Sequence, residues 1–241
     1  MTVFGALVTV TLRALLGRRR TVLMILLAAL PILVGLVIRL GGGRSDAGDI
    51  LDALVIRTVL PLIALIIGTA AVGSEIEDGT VLFLLLKPIA RWQIALAKVV
   101  VAAGLTAVLV VPAILITGLL VGGGGSDSIG LASGYAMAAI LGGSAYAVAF
   151  TVLGIVTSRA LIIGLAYTLL WEGVLAGLLA GTRFLSIRQA TLGIAAELTG
   201  TDVGADPLAP AVAIAIVAVV IIGGWSLGVV ALRRFQVRAG D

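Results

Sequence analysis

Between Gly73 and Arg91 the chain reads Gly-Ser-Glu-Ile-Glu-Asp-Gly-Thr-Val-Leu-Phe-Leu-Leu-Leu-Lys-Pro-Ile-Ala-Arg, the one charged island in its otherwise apolar first half. Glu75, Glu77 and Asp78 precede Gly79 and Thr80, and the apolar run 81–86 leads to Lys87, Pro88 and Arg91. The chemistry this pattern offers is docking. Carboxylates and a guanidinium fix register through charge-assisted hydrogen bonds, and the apolar run supplies a face to bury. Gly79 permits a sharp change of backbone direction. Pro88 disfavours helix at Lys87 and can open the next helix. The expected product is a short helix between two breaks, across the ends of two spanning helices. A solvated connector is the plainer alternative.

Two further charges fall inside apolar runs. At ~1.5 Å per residue, Glu172 lies roughly 14 Å and Arg57 about 9 Å from the nearer run boundary. An intramembrane ionisable group is a candidate functional residue by default. Their similar depths would permit an ion pair if their helices were neighbours. Three roles stay open at this point: a structural pair, a lining of a solute or gating path, and proton coupling.

Composition narrows the chemistry further. The chain has no cysteine and no histidine, which removes thiol catalysis, thiolate metal sites and the usual general base and zinc ligand. No Gly-Lys pair occurs in the sequence, so a Walker A loop is impossible and the chain holds no nucleotide cofactor of its own. Of its 241 residues 61% are hydrophobic and 12% charged, about half the charge of a soluble domain. An all-α membrane protein follows, because the apolar runs approach the ~20 residues that a spanning helix needs.

Six such runs can be drawn, at Thr21–Leu40, Leu51–Val72, Ile94–Val121, Ile129–Thr157, Ala160–Gly181 and Leu208–Leu232. With both termini cytoplasmic, the inner side receives Arg13, Arg18, Arg19, Arg20, Lys87, Arg91, Lys98, Arg159, Arg233, Arg234 and Arg238. Only Arg39, Arg44, Arg57, Arg183 and Arg188 fall towards the other side, which satisfies the positive-inside rule. The same placement turns the net charge of +4 into a topology signal and argues against nucleic acid as a partner. Residues 1–20 read as a cytoplasmic interfacial helix ending in the Arg18–Arg20 triplet. Residues 74–92 form the connecting segment, and 182–207 an outer loop of short re-entrant or surface helices. Gly142 and Gly143 permit close helix approach. The whole chain reads as a single transmembrane domain, multi-pass in the inner cell membrane and in contact with its lipids.

The stretch Glu75-Ile-Glu77-Asp-Gly-Thr80, followed by Leu84-Leu-Leu86, Pro88-x-x-Arg91 and Lys98, resembles the signature of type-2 ABC exporter permeases. Leu170-Trp-Glu172 and Leu185-Ser-Ile-Arg188 extend the resemblance. Val81 and Phe83 depart tolerably from it. The resemblance implies that the island is a coupling helix seated in a separate ATPase, with Glu75, Glu77, Asp78, Gly79, Thr80, Pro88 and Arg91 as its coupling residues. It also implies two ATPase copies that bind ATP and magnesium, a second permease chain (identical or related), and export as the direction. On this reading the chain is a membrane subunit and not an enzyme. A proton-coupled secondary transporter using Glu172, or a non-transporting anchor or sensor of an ATPase, are the alternatives.

Overall fold

The computed structural model describes residues 3–42, 45–77, 90–175, 180–201 and 207–238. Among them every regular element is helical. Helix α1 is Val3–Leu15 and α2 is Arg18–Leu40. Helix α3 covers 47–77, opening with Ala47–Ile50, widening into a π-helix over Leu51–Val59, and continuing as Leu60–Glu77. Helices α4 (Arg91–Gly122) and α5 (Ser126–Val156) follow. Helix α6 covers 160–175, α-helical over Ala160–Ala166 and π-helical over Tyr167–Leu175. A 3-10 turn at Ala180–Leu185 leads to α7, Ile187–Thr199, and α8 is Pro210–Arg238.

Five of these helices are long and apolar enough to cross a membrane: α2, α3, α4, α5 and α8. They match five of the six expected runs to within three residues at each end, apart from longer ends at α3 and the C-terminal end of α8. A helix pairs most of its backbone polar groups within itself, as lipid demands. Burial sorts them. The apolar windows of α3 and α5 are 61% buried, whereas those of α2 and α8 are 22% buried. So α5 and α3 form the centre, and α2 and α8 face outward. Helix α5 shares its most extensive interface with α4 and also packs on α3, α7 and α8.

Lipid is as apolar as a leucine side chain, so close packing and hydrogen bonds, rather than hydrophobic transfer, hold such a bundle together. The α3–α5 crossing shows how. A Cβ at Gly68 would stand 2.8 Å from Phe150 Cβ and 3.0 Å from Thr151 N. Only hydrogen fits there, and the two backbones approach accordingly. Gly142 plays the part expected of it. A Cβ at that position would lie 2.9 Å from Thr191 Cβ of α7.

At one end of the bundle Val72, Ile94, Ala95, Ile155 and Leu232 form a small cluster, joined by Leu7 and Trp225. The end of α3, the start of α4 and the ends of α5 and α8 therefore meet there, beside α1. This is the end that carries Arg91, Lys98 and Arg159, and is called the basic end below. Helix α1 packs on α4 and α3, with Leu15 2% exposed.

Of the expected fifth run, Ala160–Gly181, residues 160–175 form α6 and 180–181 open the 3-10 turn. Helix α7 then continues along the same groove of α5. Going up α5 from the basic end, Gly164 lies against Phe150, Thr191 against Gly142, and Leu198 against Gly134. Helices α6 and α7 thus follow one another along α5 as two halves of a broken path. Within 182–207, helix α7 packs into the bundle. Residues Ile187, Arg188 and 190–195 of α7 are buried, against α5 and α8.

Candidate functional site

Both buried carboxylates of the interior, Asp52 and Glu172, lie in the two π-helical stretches. In α3, Arg57 Nε donates to Asp52 Oδ1 at 2.9 Å and Arg57 Nη2 to Asp52 Oδ2 at 2.7 Å. The pair is bidentate, the geometry in which a guanidinium and a carboxylate bind most specifically. Five residues separate them, and an α-helix would splay such positions by about 140°. The wider π-turn brings them onto one face. Pro61 follows directly; it lacks an N–H, and its ring crowds the preceding turn, which favours opening of the helix there. The Arg57 side chain remains 44% exposed while that of Asp52 is 11% exposed.

The pairing of Arg57 with Glu172 is therefore overturned. Glu172 is engaged elsewhere, at the junction of α6 and α7. It is 1% exposed and accepts three hydrogen bonds: from Tyr167 Oη at 2.8 Å, from Ser186 Oγ at 2.5 Å, and from Ile187 N at 3.0 Å. Tyr167 again stands five residues away within a π-turn. Ser186 is the N-cap of α7 and accepts from Gln189 N at 3.0 Å. Glu172 and Ser186 together satisfy amides of the first turn of α7, where a carboxylate also complements the helix dipole. The carboxylate thus fastens the second half-helix to the first.

The surroundings of this node are polar and tightly enclosed. Tyr146 of α5 is fully buried and stacks on Phe150 at 5.8 Å between ring centroids. Phe150 in turn meets Tyr167 edge-on at 6.3 Å. Arg188, the second residue of α7, is 5% exposed. Arg188 Nε and Tyr146 Oη have no hydrogen-bond partner among the described residues.

At the basic end the frame of the charged island is visible. Lys98 of α4 is 3% exposed, and its Nζ donates to the carbonyl of Ala71 in α3 at 2.6 Å. The two helices that flank the island are thereby tied near their ends. Arg91 is the first residue of α4. The side chains of Glu75 and Glu77, and the whole of Asp78, Gly79, Thr80 and Pro88, lie outside the described residues. Among the described residues no cluster of acidic side chains could hold a metal ion.

A family model described as ABC-2 family transporter protein matches residues 16–187, most of the chain, from the start of α2 to the node at Glu172 and Ile187. The chain belongs to the ABC-2 transporter family. No curated protein matches it. As an ABC-2 transporter protein it is a multi-pass membrane permease, a transport component of the kind that works with an ABC ATPase. The match includes the island, both π-helical stretches and the Lys98 tie, so the geometry above belongs to the family region of the chain.

Sequence reasoning missed four partners: Asp52, Tyr167, Ser186 and the Ile187 amide. Asp52 was readable in principle, five residues before Arg57, but that spacing carries no signal in an α-helix. Ser186 and the Ile187 amide were part of a quoted motif, yet nothing in its spacing tied them to Glu172.

Proposed function

We propose that this ABC-2 chain is the permease subunit of an exporter, driven by a separate ATPase through residues 74–92. The observation that carries the reading is the position of the charged island within the family match, between two helix ends joined by Lys98 and Ala71. A segment that transmits force needs stiff attachment to the helices it moves, and the Lys98 bond supports that attachment. Glu75, Glu77, Asp78 and Arg91 then fix the register of docking, with Gly79, Thr80 and Pro88 setting the bends.

In this arrangement the basic end faces the cytoplasm of the inner membrane. The split path of α6 and α7 serves as the sixth crossing, which leaves both termini on the cytoplasmic side. Two permease chains pair over two ATPase subunits, and these bind the ATP and magnesium. The three bonds held by Glu172 support the structural role over proton coupling. The exposed flank of Arg57 faces the second chain or the solute path, because open lipid is a costly place for a guanidinium.

The test is purification of the chain from its native membrane, followed by reconstitution. An ABC ATPase should accompany it, and hydrolysis should rise with a transported solute. Reversal of Glu77 and Asp78 to lysine should abolish that rise while the chain still folds. Solute transport by liposomes containing the chain alone would defeat the proposal.

A further inference from the structure

Over residues 47–73 helix α3 exposes Asp49, Ala53, Arg57 and Thr58, and every other residue of the stretch is buried or half-buried. Steps of four residues carry the first three along one side of the helix, over roughly 12 Å at the α-helical rise. All four lie in the half of α3 away from the basic end. Three are polar and the fourth is an alanine. No large apolar side chain is exposed anywhere on this stretch. The outward-facing helices show the reverse pattern towards the same end. There α2 exposes Leu33 and Val37, and α8 exposes Ile214 and Val219.

We infer that Asp49, Ala53, Arg57 and Thr58 line a water-filled crevice that enters the membrane from the end opposite the basic end. Helices α2, α4 and α7 pack on the π-stretch of α3, and the stripe lies on the side they leave open. Arg57 spends Nε and Nη2 on Asp52, and its side chain is still 44% exposed. Lipid selects apolar side chains and is a costly neighbour for a guanidinium or a carboxylate. A dry contact with a second chain would strip water from the same charges. Water meets both groups without either cost. Such a crevice admits the polar groups of a hydrated solute, while the apolar faces of α2 and α8 keep to lipid. The inference deepens the reading of the exposed flank of Arg57 given above and rests on the chain spanning a membrane. Coupling to an ATPase is read from hydrolysis, so it stands or falls separately.

The chain has no cysteine, so a single introduced thiol reports its own surroundings. Ala53→Cys and Thr58→Cys are compared with Leu33→Cys and Val219→Cys, exposed positions of α2 and α8. Each full-length variant, in native membranes opened to both faces, is treated with a permanently charged, membrane-impermeant methanethiosulfonate. The thiolate that reacts forms in water and is suppressed in apolar surroundings. Thiols at 53 and 58 should therefore react at least about ten-fold faster than those at 33 and 219. All four side chains are exposed, so melting temperatures should stay close to that of the native chain. Equal rates at the four positions would overturn the inference. So would unreactive thiols at 53 and 58, and a disulfide then formed between two copies through position 53 would identify a dry contact with a second chain instead.

Discussion

Arg57 and Asp52 form a bidentate ion pair within a single spanning helix, at 2.9 and 2.7 Å, across the five-residue step of a π-turn. Each group carries its counter-charge on its own helix, so α3 enters the membrane as a locally neutral element. Asp52→Asn leaves the guanidinium unbalanced and should lower stability by about 2 kcal/mol, the scale of a hydrogen bond to a charged group. Exchange of the two residues should recover part of the loss. Thermal unfolding in detergent, arranged as a double-mutant cycle, measures the coupling. Purely additive losses would reject the pair as a stabilising unit.

Glu172 should behave as a cap. Glu172→Ala strands the Ser186 and Tyr167 hydroxyls and the Ile187 amide, and should destabilise the chain by about 3 kcal/mol. Ser186→Ala should remove about 1 kcal/mol, the usual value of an N-cap. Hydrogen exchange at residues 187–189 should accelerate in both variants before exchange in α5 does. Unchanged protection there would show that α7 is held by other contacts.

Lys98→Met removes the bond to Ala71 while keeping much of the side-chain bulk. The fold should survive, because the cluster around Val72, Ile94 and Leu232 remains. Coupling should not survive. Basal hydrolysis by the associated ATPase is expected to persist, and its stimulation by solute to fall at least ten-fold, about 1.4 kcal/mol. Normal stimulation in Lys98→Met would release Lys98 from the transmission path.

The close crossings should tolerate almost nothing. Gly68→Val and Gly142→Val force side-chain carbon into Phe150 and Thr191 respectively. Each should cost about 3 kcal/mol, at the upper range of overpacking. Gly104→Val, where an added Cβ meets nothing within 4 Å, should be close to neutral. Cysteine cross-linking across α3–α5 and α5–α7, with melting temperatures, would separate these outcomes.

The spanning helices were legible because lipid leaves the sequence little choice. The run Thr21–Leu40 became Arg18–Leu40, and Leu208–Leu232 became Pro210–Arg238. Composition is silent where tertiary contacts decide. Nothing in the run Ala160–Gly181 announces that Ser186 and Ile187 return to Glu172. Arg57 was assigned to the wrong partner for a related reason. Reading α3 with a 3.6-residue period turns Asp52 away from Arg57, and the π-turn that reunites them has no plain sequence signal beyond the proline after it. The right residues were picked out in both cases, but their neighbours depend on helix geometry.

Only Gly123, Gly124 and Gly125 separate α4 from α5, and the first two adopt the left-handed backbone at φ 85° and 82°. A connection that short keeps the two helices adjacent from the moment both have been synthesised. Among the described residues this hairpin carries the most extensive helix–helix interface, so it offers one surface on which the helices before and after it can settle.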